Sequence, residues 1–168
     1  RAKMGGSRWS KADLRRVHLL DATVEGVSFS EAKMSDVDFR VLKLQRCTFA
    51  GADVTNSVFR RAVLKGHNFA NAKFVGADAA ECVAEEVSFV RANLSGANFR
   101  QANLKRADFT NAQAPAADFS GTLLIATIFR GANLFDADFR FSDSIRWRSH
   151  RTAGASSPAR PLSSGARA

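Results

Sequence analysis

Ala92-Asn93-Leu94-Ser95-Gly96, Ala97-Asn98-Phe99-Arg100-Gln101 and Ala102-Asn103-Leu104-Lys105-Arg106 are three consecutive units of one five-residue pattern. Each has a small residue, a polar amide, a large apolar residue and then two positions of free composition. Outward from this stretch, the large position stays in register every fifth residue from Trp9 to Phe139, and no unit is inserted or lost. Two residues before it sits a small or compact one, from Ala12 and Val17 to Ala132 and Ala137. A helix repeats about every 3.6 residues and a strand about every two, so neither yields a period of five. An unbroken short repeat signals a solenoid. It commits most of the chain to architecture and leaves little of it free for chemistry.

The units resemble the A(D/N)LXX motif of the pentapeptide-repeat family over residues 7–144. The resemblance implies an all-β fold, a right-handed quadrilateral β-helix in which four units make one 20-residue coil. The large residue and the small one before it then point inward, and the other three positions face solvent. About seven coils fit in 7–144, giving a rod roughly 30–35 Å long at ~4.8 Å per coil. Residues 1–6 form a basic N-terminal segment, and 145–168 a short cap and an Ala/Ser/Arg/Pro-rich tail.

Positions twenty apart support this independently. One column reads Trp9, Phe29, Phe49, Phe69, Phe89, Phe109 and Phe129; the column opposite reads Leu19, Phe39, Phe59, Ala79, Phe99, Phe119 and Phe139. Medium residues fill the two columns between. Large facing large with medium at the sides is what a close-packed interior requires. The coil with Ala79 and Ala84 is short of volume, and Phe74 in that coil is expected to compensate in part.

Net charge is +9, and its distribution says more than its size. Residues 1–11 and 144–168 together carry nine positive charges and no acid, so the body between is neutral. Basic ends suit acidic surfaces, whether nucleic acid, anionic lipid or an acidic protein, and equally suit a role in solubility alone. No run of ~18 apolar residues marks a membrane span. The chain opens on Arg1 with no secretory leader pattern in it, as a processed chain, a trimmed chain or a fragment would. Family members are common in cyanobacteria and in thylakoid compartments. The resemblance therefore leans toward a processed subunit of a large organellar or photosynthetic assembly, with a bacterial cytoplasmic protein as the alternative.

No catalytic constellation is evident, and the expectation is a protein that is not an enzyme and carries no cofactor or metal. His67 falls on an inward small position one coil from Cys47, but two ligands do not make a metal site. No histidine lies beside a carboxylate, so no Ser/His/Asp arrangement can be drawn. Cys47 and Cys82 fall in different columns and are expected to be buried free thiols. The glycines that end units, such as Gly96 and Gly131, are expected in tight turns.

Two surface features remain. Arg40, Arg60, Arg61, Arg100, Arg106 and Arg140 gather along one edge. They are either a basic stripe for phosphates or, with Asp38, Asp138 and Glu81 close by, an ion-paired solvated face. Apolar residues also cluster at outward positions near the C-terminus: Leu123, Ile125, Ile128, Phe135, Phe141, Ile145 and Trp147. Such a cluster is a cap over the rod or a docking surface. The expected role is a non-enzymatic scaffold binding protein partners through this patch. A nucleic-acid- or ribosome-binding module is an alternative. So is the gyrase-binding, DNA-mimicking behaviour of some family members, which needs an acidic surface that this neutral body does not supply.

Overall fold

The computed structural model describes residues 3–5, 8–15, 17, 23–40 and 43–143. Leu19, Ala22, Ser144 and the segment 145–168 lie outside the described residues.

Three short strands, β1 (Lys3–Gly5), β2 (Thr23–Glu25) and β3 (Lys43–Gln45), form a parallel sheet in chain order. Each pairs with the next at a shift of twenty residues, Met4 with Val24 and Val24 with Leu44. The same side continues through the bridges Val63–Val83–Asn103–Leu123–Asp143. Three further columns keep the same shift: Arg8 to Ile128, Asp13 to Asn133, and Asp38 to Asp138. The four columns define a four-sided coil, whose sides are called A (Val63, Val83), B (Asn68, Ser88), C (Lys73, Asn93) and D (Asp78, Asn98).

Beyond the three strands, each side is held by isolated parallel bridges. The period explains this. Of five residues, two turn the corner, so a side has at most three, and most sides pair through their one central residue. At most corners the chain closes an i to i+3 hydrogen bond, as from Ala52 N–H to the Phe49 carbonyl at 2.9 Å, while the Val37 N–H donates to the Ser57 hydroxyl at 3.2 Å. The residue two places after the large one takes positive φ, the type II turn geometry. Gly96 does so at 63°, and directly above it in the same corner column Ala116 does so at 55°. Glycine is therefore used at some corners only, and among the described residues seventeen others accept a conformation that disfavours a side chain.

The interior is a herringbone of phenylalanines. Phe29, Phe49, Phe69, Phe89, Phe109 and Phe129 stack ring on ring at 4.7–5.3 Å between centroids. A second ladder, through Phe39, Phe59, Phe99, Phe119 and Phe139, meets the first edge-on, as between Phe109 and Phe119 at 5.6 Å and 88°. Edge-to-face and offset contacts are the favoured aromatic arrangements. Where Ala79 would interrupt the second ladder, the Phe74 ring takes its place. It stacks on Phe59 at 5.2 Å and on Phe99 at 5.7 Å, although its backbone belongs to the neighbouring column. Phe74, Ala79 and Ala84 are all fully buried.

Candidate functional site

With the interior so filled, any function must come from the outward positions, beginning with the polar residue before each large one. Its side chain folds over the corner that follows, where Oδ1 accepts the backbone N–H two residues on: Asn68 from Ala70 at 2.9 Å, Asp108 from Thr110 and Asp118 from Ser120 at 2.8 Å. This Asx turn explains the Asp or Asn of the motif. The position reads as merely solvent-facing in the sequence, yet it shapes the corner.

Four arginines of the edge between sides D and A, Arg40, Arg60, Arg61 and Arg140, are held to carboxylates. Arg40 and Arg140 fork onto Asp38 and Asp138 at 2.6 and 2.7 Å. Arg60 bridges Asp78 and Glu81 across one coil, and Arg61 joins it on Glu81 at 2.8 Å. At the edge between A and B, Lys65 pairs with Glu85 at 3.1 Å and Arg106 with Glu86 at 3.3 Å. Arg100, Lys43 and Lys105 make no ion pair among the described residues. Donation by Arg40 holds Asp38 below its usual carboxylate range, Arg140 does so for Asp138, and Arg61 does so for Glu81. Lys65 and then Asn103 lower Glu85. Arg15 takes the exposed Asp13 down to about 2.

The C-terminal apolar residues are distributed by the twenty-residue register. Leu123 stands on side A, Ile125 at the A–B corner, Ile128 on side B, Phe135 at the C–D corner and Phe141 at the D–A corner. They therefore form a collar around the last coils rather than a patch on one side. Phe141 is 93% exposed, Phe135 57% and Ile128 41%, while Leu123 and Ile125 are half-buried. Phe141 also sits at positive φ, 61°, in a turn where a bulky side chain is strained. Ile145 and Trp147 lie outside the described residues. A residue number taken modulo twenty would have revealed the collar; grouping by nearness in sequence hides it.

The buried polar groups offer no reaction. Burial pushes the Cys82 thiol up to about 12 and raises Cys47 as well, which suppresses the nucleophilic thiolate. His67 is buried, with Nδ1 3.1 Å from the Lys65 carbonyl and Nε2 without a partner. Desolvation lowers its pKa, so the ring is neutral and Nδ1–H is the donor. Among the described residues, no group of three or more His, Cys, Asp or Glu side chains is placed to hold a metal ion, and no helix is long and apolar enough to cross a membrane.

A family profile described as pentapeptide repeat region matches residues 1–69 and 63–139. The chain belongs to the pentapeptide-repeat family, whose fold is a right-handed quadrilateral β-helix. Among solved structures it is similar to a trypsin-treated variant of QnrB1, a plasmid-mediated fluoroquinolone resistance protein. That match has 17% identity and a TM-score of 0.64 over 84% of this chain and 80% of the other. A second trypsin-treated variant of QnrB1 gives 18% identity and a TM-score of 0.60 over 84% and 78%. A pentapeptide repeat protein of the Arabidopsis thaliana thylakoid lumen matches at 26% identity over 69% and 67%, with a TM-score of 0.40. No curated protein sequence matches this one.

Proposed function

We propose that this chain is a non-enzymatic scaffold that binds a protein partner around its C-terminal coils, through Leu123, Ile125, Ile128, Phe135 and Phe141. The carrying observation is Phe141, a large apolar side chain 93% exposed in a left-handed turn. Exposing a large apolar ring costs stability, and a ligated state that covers the ring accounts for that exposure. The same reading takes the rod as about seven coils over 7–144, with 145–168 as cap and tail and Ile145 and Trp147 extending the collar. It accommodates a subunit of a larger assembly, organellar or photosynthetic, whose basic ends meet acidic surfaces of neighbours.

The ion pairing of Arg40, Arg60, Arg61, Arg106 and Arg140 favours a scaffold over a phosphate-binding stripe, because those cations already have carboxylate partners. A DNA-mimicking role finds no support in charge. On side D, where aspartates line up, Asp38, Asp78 and Asp138 are each neutralised by an arginine.

The test is affinity capture from the native cells with quantitative mass spectrometry. It compares the full chain with Phe135→Ser/Phe141→Ser and with a chain ending at residue 143. A partner set lost at least about tenfold in the double variant, with the melting temperature kept, supports the reading. An unchanged partner set refutes it.

A further inference from the structure

The neutral body is electrically lopsided once charges are assigned to sides. From residue 40 to 143 there are thirteen Lys and Arg, and ten of them stand on side A or its two edges. The D–A edge carries Arg40, Arg60, Arg61, Arg100 and Arg140; the A–B edge carries Arg46, Lys65, Lys105 and Arg106; Lys43 lies on the side itself. Glu81, Glu85, Glu86 and Asp143 are the four acids there, while six of the ten acids of this stretch lie elsewhere. Between the cationic edges, the column of side A reads Lys43, Val63, Val83, Asn103, Leu123 and Asp143, so three apolar residues alternate with polar ones. Val63 is 59% exposed and Val83 37%, and Leu123 is half-buried. A groove of about 320 Å³ runs along the A–B edge, lined by Lys65, Glu85, Glu86, Lys105, Arg106 and Ile125. Side A reaches the collar directly, since Leu123, Ile125 and Phe141 belong to both.

We propose that side A is the seat of an acidic amphipathic helix lying along the rod axis, its apolar stripe on Val63, Val83 and Leu123 and its carboxylates over the two cationic edges. This rests on the scaffold reading and names the chemistry of its partner. The spacing fits. One helical turn rises about 5.4 Å against about 4.8 Å per coil, so apolar residues one and three turns along meet Val83 and Leu123 when one meets Val63, with an offset of roughly 2 Å. Seven of the ten cations are held by carboxylates of this chain, and Lys43, Arg100 and Lys105, which make no ion pair among the described residues, are the ones that meet the carboxylates of the helix. A phosphate backbone has no use for the valine centre. A bilayer needs apolar groups that project, and β-branched side chains on a flat side project little.

The test uses a fluorescent peptide of about 20 residues, with leucines one and three turns apart and glutamates on both flanks. Its binding is read by anisotropy. The comparators are a lysine-flanked peptide of the same apolar pattern, duplex DNA, and anionic phosphatidylserine vesicles. The acidic peptide should bind at least about tenfold more tightly than every comparator, and rising salt should weaken it. Val63→Asp/Val83→Asp and, separately, Lys105→Glu should each weaken it; Arg91→Glu, at the corner between sides B and C and outside the collar, should leave it unchanged. Equal binding of the lysine-flanked peptide, tighter binding of DNA or vesicles, or indifference to Val63→Asp/Val83→Asp overturns the proposal. If those side A substitutions are silent while Phe135→Ser/Phe141→Ser abolishes capture in cells, this inference falls and the scaffold reading stands. If peptide binding behaves as inferred and capture is untouched by Phe135→Ser/Phe141→Ser, the collar falls and the side A seat stands.

Discussion

The two aromatic ladders run side by side through one interior, yet they are built differently. From Phe29 to Phe129 each ring comes from the same position of each coil. In its neighbour, one rung is missing at Ala79 and is supplied by Phe74 from the adjoining column. The regular ladder shows that the repeat fixes where inward side chains start. The mended ladder shows that packing conserves the volume of a coil, not the identity of a position.

The comparison can be broken most severely at Phe99, where the mended rung rejoins the regular stacking. Phe99→Asp buries a carboxylate among Phe74, Phe89, Phe109 and Phe119 with no partner, and should abolish a cooperative melt followed by far-UV circular dichroism. A melting temperature equal to that of the parent would contradict the inward assignment.

Phe74→Ala comes next, with an expected loss of about 3–5 kcal/mol in chemical denaturation, because its coil already contains Ala79 and Ala84. Met34→Ala in the same column should cost less, since Met34 bridges no ladder. Restoring the ring at its usual position sharpens the point. Ala79→Phe alone overpacks the coil and should cost about 1–3 kcal/mol. Combined with Phe74→Leu it should cost much less than the sum of the two changes, a coupling visible in a double-mutant cycle. Strict additivity would mean that the Phe74 ring does not occupy the vacant rung.

A smaller effect distinguishes His67 from its regular counterpart Val87 in the column above. The folded state holds the ring neutral with a lowered pKa, whereas the unfolded chain binds a proton below about 6.5. Stability is therefore full above pH 6.5 and declines as pH falls from there to the folded pKa, by up to about 1.4 kcal/mol per pH unit. His67→Val should remove this decline in urea titrations at pH 7 and pH 5. The carboxylates held low by arginine act in a separate window. Their contribution is present above the unfolded carboxylate range near pH 4 and fades as pH drops toward about 2 for Asp13.

The smallest expected difference is at two adjacent rungs of one corner. Gly96→Ala should lose about 1 kcal/mol and Ala116→Gly should gain about as much, since both residues hold positive φ. Equal and negligible shifts in both melting curves would show that this corner does not discriminate.

Which residues enter the core was legible in the sequence, because Phe49, Phe69 and Phe89 recur with a period that no local element explains. The swing of Phe74 was only half legible: the volume deficit at Ala79 is visible in composition, but the direction in which a neighbour leans depends on rotamers. The Asx turns escaped because the hydrogen bond of Asp108 to Thr110 is a matter of corner geometry, while its sequence signature is simply polarity. The collar and the cationic edges of side A were encoded in plain numbers. Leu123 and Phe141 are eighteen residues apart and Val63 and Leu123 sixty, so what is adjacent on the surface is scattered along the chain.

The bridges among the described residues all join rungs at a shift of twenty residues, which makes length a quantised property of this molecule. Duplicating or deleting one complete turn would lengthen or shorten the ruler by a single graduation while every later side chain kept its compass bearing. Losing one residue would instead rotate all downstream surfaces away from their partners. Descent of such a chain should therefore proceed in whole steps, and the separation between whatever its two ends hold should change by multiples of one increment.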